Sequence, residues 1–466
     1  MRKPIVFTLI TILFFCACSG NNKKTDKNEP ITNAIVSGVA WFDKDGNEVS
    51  AHGASIIKEG SKFYLFGEFH SDTSNAFNGF SCYSSTDLVN WNFERIVLPV
   101  QRTGLLGPQR VGERVKVMKC PSTGEFVMFM HCDNMQYRDP HIGYATSKKI
   151  DGEYKFHGPV LFNGDTIKKW DMGTFQDDDG TGYLLIHHGD IFKLSKDYRS
   201  VVEHVVTGVK NGESPTIFKH DSVYYWLTSQ TTSWERNDNF YQTEDSLAGP
   251  WSDQKLIAPE GTLTWNSQCT YVLPIYGETD TTYMFMGDRW SFPRQNSAAT
   301  YVWQPITIKN GQISIPEFNS MWAIDFQSGS WYVVDNNMDK VPDSKIKFEG
   351  EWNREKGRYR SNENGAVLSY EFTGKQVALE GIGDNTGGYA RIEVTDTRGN
   401  VVGSTFVDFY CKYEEQSLKF RSPVLREGNY KISVEVWGQN WEFFDKKGNR
   451  FGSEDYNVTV TGIYTL

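Results

Sequence analysis

The chain is short of cysteine, of basic runs and of helical patterning, and each shortage removes a class of protein. Seven cysteines occur in 466 residues, and only five (Cys82, Cys120, Cys132, Cys269 and Cys411) lie beyond the N-terminal segment. Five is odd, the spacings are wide and no Cys-x-x-Cys occurs there, which excludes a disulfide framework and a zinc motif. No metal or other cofactor is expected. The net charge is −10 with no Lys/Arg-rich run. A nucleic-acid partner needs a basic face for its phosphates and is therefore excluded. Beyond the N-terminal segment no apolar pattern keeps a helical period for more than about two turns, so folds built on helices are excluded as well. Residues 331–466 contain no histidine at all.

The one sustained apolar run, Ile5–Phe15, follows Arg2 and Lys3 and precedes small residues. It is too short to span a bilayer and has the layout of a secretion signal. Residues 1–17 are expected to be removed. Cys18 follows Phe15-Cys16-Ala17 in the manner of a bacterial lipobox and is the expected lipidation site. Residues 18–33 are polar and form a flexible tether. The expected location is the cell envelope, with the membrane reached through the lipid anchor only.

What the chain does have is a motif repeated five times between about residues 50 and 305. A polar leader precedes a short apolar run, a tight polar turn and an aromatic-rich returning run. The leaders are His52, Glu113, Asp171, Glu213 and Gln268. The returning aromatics Tyr64, Phe126, Tyr183, Tyr224 and Tyr283 follow them by 12, 13, 12, 11 and 15 residues. Gly, Asp, Asn, Ser or Thr in each turn gives the hairpin signal. Most copies continue into a second, more polar strand pair. Repeats of this length made only of short strands are the mark of a propeller. An all-β chain is expected, with a five-bladed β-propeller over residues 34–326. Residues 331–466 alternate as strands separated by Gly/Asp/Asn turns, which predicts a β-sandwich. Its Trp437, Trp441 and Phe443 form either a sugar-stacking platform or a packed core or domain interface.

In a propeller the leading strands line the axis, so the five leaders converge on one pocket. Three of them are acids. Cleavage of a glycosidic bond needs a protonated group on the leaving oxygen and a second group that activates water or attacks the sugar. Glu213 lies just before an apolar strand, where desolvation raises a carboxyl pKa and suits a general acid. Asp171 holds the matching position one repeat earlier. Glu113 is followed by Arg114 and Lys116, which reads either as a surface ion pair or, placed by the repeat, as an inward carboxylate holding sugar hydroxyls. Asp177–Asp179 read as a solvated turn.

These residues carry a resemblance. Ala51-His52-Gly53, Phe63–Glu68, Ser81–Trp91, Glu113–Lys116, Val127–His131, Asp171-Met172, Glu213–Pro215, Asn266–Val272, Phe285–Trp290 and Tyr301–Pro305 resemble, in order, glycoside hydrolase family 43. They are most similar to its exo-β-1,3-galactanase branch. The resemblance implies a five-bladed propeller and single-displacement hydrolysis with inversion. It makes Glu213 the general acid and Asp171 the residue that tunes and orients it. Most of the family places an aspartate base on the first blade; this chain has Ala51-His52-Gly53. In the resembling branch the counterpart of Gln268 serves as base through its imidic acid tautomer, while that of Glu113 grips the sugar. Glu113 as base, directly or through a second water, is the competing assignment. His52 is a sugar ligand or a floor residue, and Trp290 and Trp234 are candidate sugar contacts. Val115 and Gly212 depart from the branch pattern, which bears on substrate identity. The implied substrate is galactan or arabinogalactan, with arabinofuranosides and galactofuranosides as alternatives. A non-catalytic glycan-binding propeller is the alternative of another class.

Overall fold

The computed structural model describes residues 29–355, 357–445 and 448–466; Cys18 and the N-terminal signal lie outside them. The described chain is almost wholly strand. Each of the five repeats forms its own sheet, antiparallel except where Leu161–Phe162 pairs parallel with Val201–Val206 in the third, because each supplies alternating apolar residues and a turn that brings neighbours back into register. The leading strands are His52–Glu59, Arg110–Lys119, Met172–Gln176, Glu213–His220 and Gln268–Tyr276. The first, second, fourth and fifth sheets have four strands. The third has six, through the added Leu161–Phe162 and Asp165–Thr166.

The leading strands pack side by side in sequence order, and the fifth packs back against the first. Five apolar clusters fill the spaces between consecutive sheets. The cluster between the fifth sheet and the first is rich in tryptophan: Trp91, Trp303 and Trp322 are fully buried there. Emptying one such position costs about 3–5 kcal/mol. Ile35–Val36 pairs with Met321–Asp325, joining the beginning and end of this region. Ser330–Val333, which the sequence pattern assigns to the start of the C-terminal region, pairs instead with Met321–Asp325.

Residues 339–465 form a six-stranded and a five-stranded sheet. One apolar core draws on both, with Leu379, Phe420, Val460 and Ile463 from the first and Leu368, Ile392, Ile432 and Val434 from the second. Trp441 and Phe443 are buried with Tyr389, Tyr410 and Ala298, and Trp437, Trp234 and Phe292 pack against the same cluster. Trp441 and Phe443 thus join the C-terminal region to the fifth sheet, and their burial leaves them no face for a sugar.

All five described cysteines outside the signal are buried and free. Among the described residues no cluster of His, Cys, Asp or Glu is arranged to hold a metal ion, and no helix is long and apolar enough to cross a membrane.

Glu48 is a half-buried acid beside Thr405 of the C-terminal region. Burial pushes its pKa up to about 8, partly offset by a hydrogen bond with Thr405 and reinforced by Asp72. A carboxyl that is harder to ionise when folded gives stability that is complete below its unfolded pKa and lost as pH rises through the folded value. The Tm of the wild type should therefore fall relative to that of Glu48→Gln as pH is raised from about 4.5 to about 8. Parallel melting curves across that window would reject the assignment.

Candidate functional site

The leading strands share a local irregularity that aims their first residues. Register shifts follow His52, Glu113, Glu213 and Cys269. Three of these bulges open on a residue in the left-handed region: Gly53 (φ 59°), Arg114 (φ 55°) and Ser214 (φ 54°). In the third sheet Asp171 itself has φ 31°. A bulge turns one extra residue out of the ladder and redirects the side chain before it. At Gly53 the opening is tight: a Cβ there would overlap Glu68 Oε1.

The fifth strand is aimed differently. Leu263, Thr264, Trp265 and Asn266 make a left-handed turn with φ of 52°, 51°, 57° and 56°, a conformation that costs roughly 1–2 kcal/mol per L-residue. Tertiary hydrogen bonds hold it. Asn239 N donates to Thr264 Oγ1 at 2.7 Å, Trp265 Nε1 to Ile315 O at 3.1 Å, and Arg289 Nε to Asn266 O at 3.1 Å. Gln268 follows after the extended Ser267.

At the centre lies Arg114, buried and not at the surface. Its Nε is 2.7 Å from Asp171 Oδ1, and its Nη2 donates to Gln268 Oε1 at 2.7 Å. Its backbone N–H donates to Glu68 Oε1 at 2.8 Å. Burial works against its charge, but Asp171, Glu68, Asp288 and Glu113 outweigh that and raise its pKa. Asp171 Oδ2 accepts the Ser214 N–H at 2.5 Å, so one carboxylate links Arg114 to the residue after Glu213. Lys116 is also buried. It donates to Gly53 O at 2.7 Å, and burial followed by Arg114 pulls its pKa down to about 7.

The two glutamates are held in opposite states. The Glu213 carboxyl makes no hydrogen bond or ion pair among the described residues. Burial, then Asp171, then Glu113 push its pKa up to about 8, against Arg114 and His131. Its proton is therefore held well above the usual carboxylate range. Glu113 is buried too, but Tyr137 Oη donates to Oε1 at 2.6 Å and His131 Nδ1 lies 3.3 Å from Oε2. His131 Nε2 lies 3.2 Å from Asp133 Oδ2. Burial lowers the His131 pKa, and the two carboxylates raise it to about 9. The resulting imidazolium, with Tyr137, keeps Glu113 below the ordinary glutamate pKa despite its burial.

Gln268 is fixed by three bonds. Its Oε1 accepts from Arg114 and from Trp290 Nε1 at 2.8 Å, and its Nε2 donates to Ser229 Oγ at 2.8 Å. Guanidinium and indole N–H only donate. An imidic O–H at Gln268 would face donors alone, so these neighbours favour the ordinary amide. Trp290 is buried, with Arg114 5.4 Å above its ring. Trp234 stacks on Phe292 at 5.4 Å and meets Trp290 edge-on. His52 is fully buried, 3.0 Å from Asp288 Oδ1 and stacked on Tyr301 at 4.4 Å. Of its two readings, the floor residue fits this placement.

The structure thus brings Glu113, Asp171, Glu213 and Gln268 together. Sequence reasoning missed Arg114 as their hub, and it missed Glu68, His131 and Tyr137. Glu68 and His131 each close a hairpin opposite a leader, at the ends of the matched pairs His52↔Glu68 and Glu113↔His131. That pairing was the available signal.

Cleaving an acetal between two sugars takes a proton donor beside an ionised carboxylate, and this pairing places the protein among the glycosidases. Residues 48–260 match the glycosyl hydrolases family 43. Among solved structures, a candidate exo-β-1,3-galactanase from Bifidobacterium bifidum is 37% identical with a TM-score of 0.57, covering 60% of this chain and 95% of its own. The exo-β-1,3-galactanase of Phanerochaete chrysosporium, solved with galactose, is 28% identical over 93% of this chain and 100% of its own, with a TM-score of 0.69. That of Clostridium thermocellum is 25% identical over 93% and 97%, with a TM-score of 0.59. No curated protein matches. The chain belongs to glycoside hydrolase family 43.

Replacing Gly53 by alanine should displace Glu68 and strain the first bulge. The expected cost exceeds about 1 kcal/mol, seen as a lower Tm together with reduced turnover. An unchanged Tm would show that the bulge relaxes freely.

Proposed function

We propose that this protein is an exo-acting, inverting galactanase that removes terminal galactose from β-1,3-galactan. The five sheets are the blades of a propeller, and the two C-terminal sheets are a β-sandwich. The observation that carries the chemistry is the contrast in surroundings: Glu113 meets Tyr137 and His131, whereas the Glu213 carboxyl meets no donor among the described residues. Glu213 gives its proton to the leaving glycosidic oxygen. Asp171, tied to Arg114 and Ser214, sustains that proton by its charge and orients the acid. Glu113, held ionised by His131, Tyr137 and Arg114, takes the proton of the attacking water. The amide of Gln268 has one N–H beyond its bond to Ser229, which orients that water.

Substrate identity rests on likeness. Two neighbours that cover 93% of the chain are exo-β-1,3-galactanases, and a variant of the Phanerochaete enzyme was solved with β-1,3-galactotriose. Trp234, half-buried beside Trp290, is the candidate sugar contact. Lipidation at Cys18 places the enzyme on the cell envelope.

Incubation with unbranched β-1,3-galactan should release galactose one unit at a time, appearing first as the α-anomer by NMR. The β-anomer first would overturn inversion. Activity confined to arabinofuranosides or galactofuranosides would overturn the substrate and leave the acid in place. Glu213→Gln should lose nearly all turnover yet still bind galactan. Because the acid must be protonated, kcat/KM should be lost as pH rises through about 8. Glu113→Gln should abolish the acidic limb of the same profile, whereas Gln268→Ala should lower kcat and keep both limbs. A Glu113→Gln variant with an intact acidic limb would return the proton-accepting role to Gln268.

A further inference from the structure

The segment carrying Trp234 and the strand end carrying Trp290 are both held by the C-terminal region. Arg236 is buried. Its Nη2 donates to the Trp290 carbonyl oxygen at 2.5 Å and lies 3.4 Å from Asp408 Oδ2. Asp408 is its only ion-pair partner among the described residues. The guanidinium also sits 4.6 Å over the ring of Trp441 and 5.4 Å over that of Tyr410. Asp408 Oδ2 accepts a second bond, from Ser291 Oγ at 2.9 Å, and Ser291 Oγ is 2.9 Å from Tyr389 Oη. One residue before Arg236, Glu235 Oε2 accepts from Tyr410 Oη at 3.0 Å. Residues 235–236 and 290–291 are therefore clamped by one short stretch, Asp408–Tyr410. From the clamp the chain of contacts continues inward: the Trp290 indole donates to Gln268 Oε1, the acceptor that Arg114 also uses, and Arg114 binds Asp171.

We infer that the C-terminal region is a working part of the catalytic site, with Asp408 a positioning residue that acts through Arg236, Ser291 and Trp290 on Gln268. This rests on the proposed reading that Gln268 serves the reaction. The clamp is built of charge and hydrogen bonds inside a buried interface, where removing one partner strands the other and shifts its neighbours. A small displacement suffices to matter, because misplacing a reacting group by about 1 Å can cost about a hundredfold in rate. The Bifidobacterium structure matches only 60% of this chain while covering 95% of its own. Related chains thus do without a large part of this one, and dependence on Asp408 is a property of this chain rather than a demand of the chemistry.

The test compares full-length Asp408→Ala and Asp408→Asn with Thr405→Val. Thr405 lies on the same strand and donates across the interface to Ser297 O at 2.8 Å, away from Arg236 and Ser291. Asp408→Ala should lower kcat about tenfold to a hundredfold with KM changed less than about threefold, and Asp408→Asn should fall between it and the wild type. Thr405→Val should stay within about twofold of wild type even where its Tm falls as far. Kinetics use β-1,3-galactan or whichever glycoside the wild type cleaves, so failure of the substrate assignment is read separately. Gln268→Ala is run alongside. If it leaves kcat intact, the reading of Gln268 fails; if it lowers kcat while Asp408→Ala does not, the clamp fails. A readout independent of turnover comes from 19F NMR of protein carrying 5-fluorotryptophan, with the Trp290 signal assigned by its loss in Trp290→Phe. That signal should move or broaden in Asp408→Ala and stay in place in Thr405→Val. An unmoved signal in Asp408→Ala would overturn the inference.

Discussion

The site depends on one buried cation. Asp171, Glu68, Asp288 and Glu113 all lie close enough to Arg114 to raise its pKa, and without it their mutual repulsion in a desolvated pocket would protonate or disperse them. Arg114 also joins sheets that are far apart in sequence. Its partners Glu68, Asp171 and Gln268 belong to the first, third and fifth sheets. A guanidinium suits this position because its planar fork donates in several fixed directions at once and keeps its charge when buried. Lysine offers a single mobile point of charge, and the neighbouring Lys116, buried beside it, is pulled toward neutrality.

Around that hub the same residue type is driven to two protonation states. Glu213 is desolvated, lies near Asp171 and Glu113, and has no hydrogen-bond donor among the described residues; together these outweigh Arg114 and His131 and push its pKa up. Glu113 meets a tyrosine hydroxyl and an imidazolium that is itself held by Asp133, so its proton leaves. Environment alone separates the two carboxyls. The separation is made by their neighbours: Asp133 holds His131 beside Glu113, and Asp171 lies near Glu213.

Much of this was legible in the sequence, and what was not has a physical reason. The five hairpins fall where the period-2 runs and their turns put them, and the in-phase leaders do meet. Six C-terminal strands match alternating segments of the sequence between Ala366 and Tyr464; the strands Val401–Asp408, Glu442–Phe444 and Arg450–Gly452 were missed. Arg114 was open to reading as a surface charge because its partners lie 46 to 154 residues away and come near only when the sheets assemble. Trp441 and Phe443 are aromatic whether they face a sugar or a neighbouring sheet, and only burial separates the two. The left-handed turn before Gln268 uses Leu, Thr, Trp and Asn, none of which announces φ above zero as glycine does. It is sustained by distant hydrogen bonds that no local window contains.

The pairing of Ile35–Val36 with Met321–Asp325 also sets a clock on biosynthesis. The first sheet buries an apolar flank against the fifth, whose last strand, Gln312–Ser314, emerges about 280 residues after Ile35. At about 5–20 residues per second, the wait is about 15–60 s. Throughout it, Trp91, Leu65 and Ile56 on one flank of the first sheet have no partner. For a chain built this way, the exposed flank of the earliest sheet is the natural client surface for whatever escorts the nascent protein.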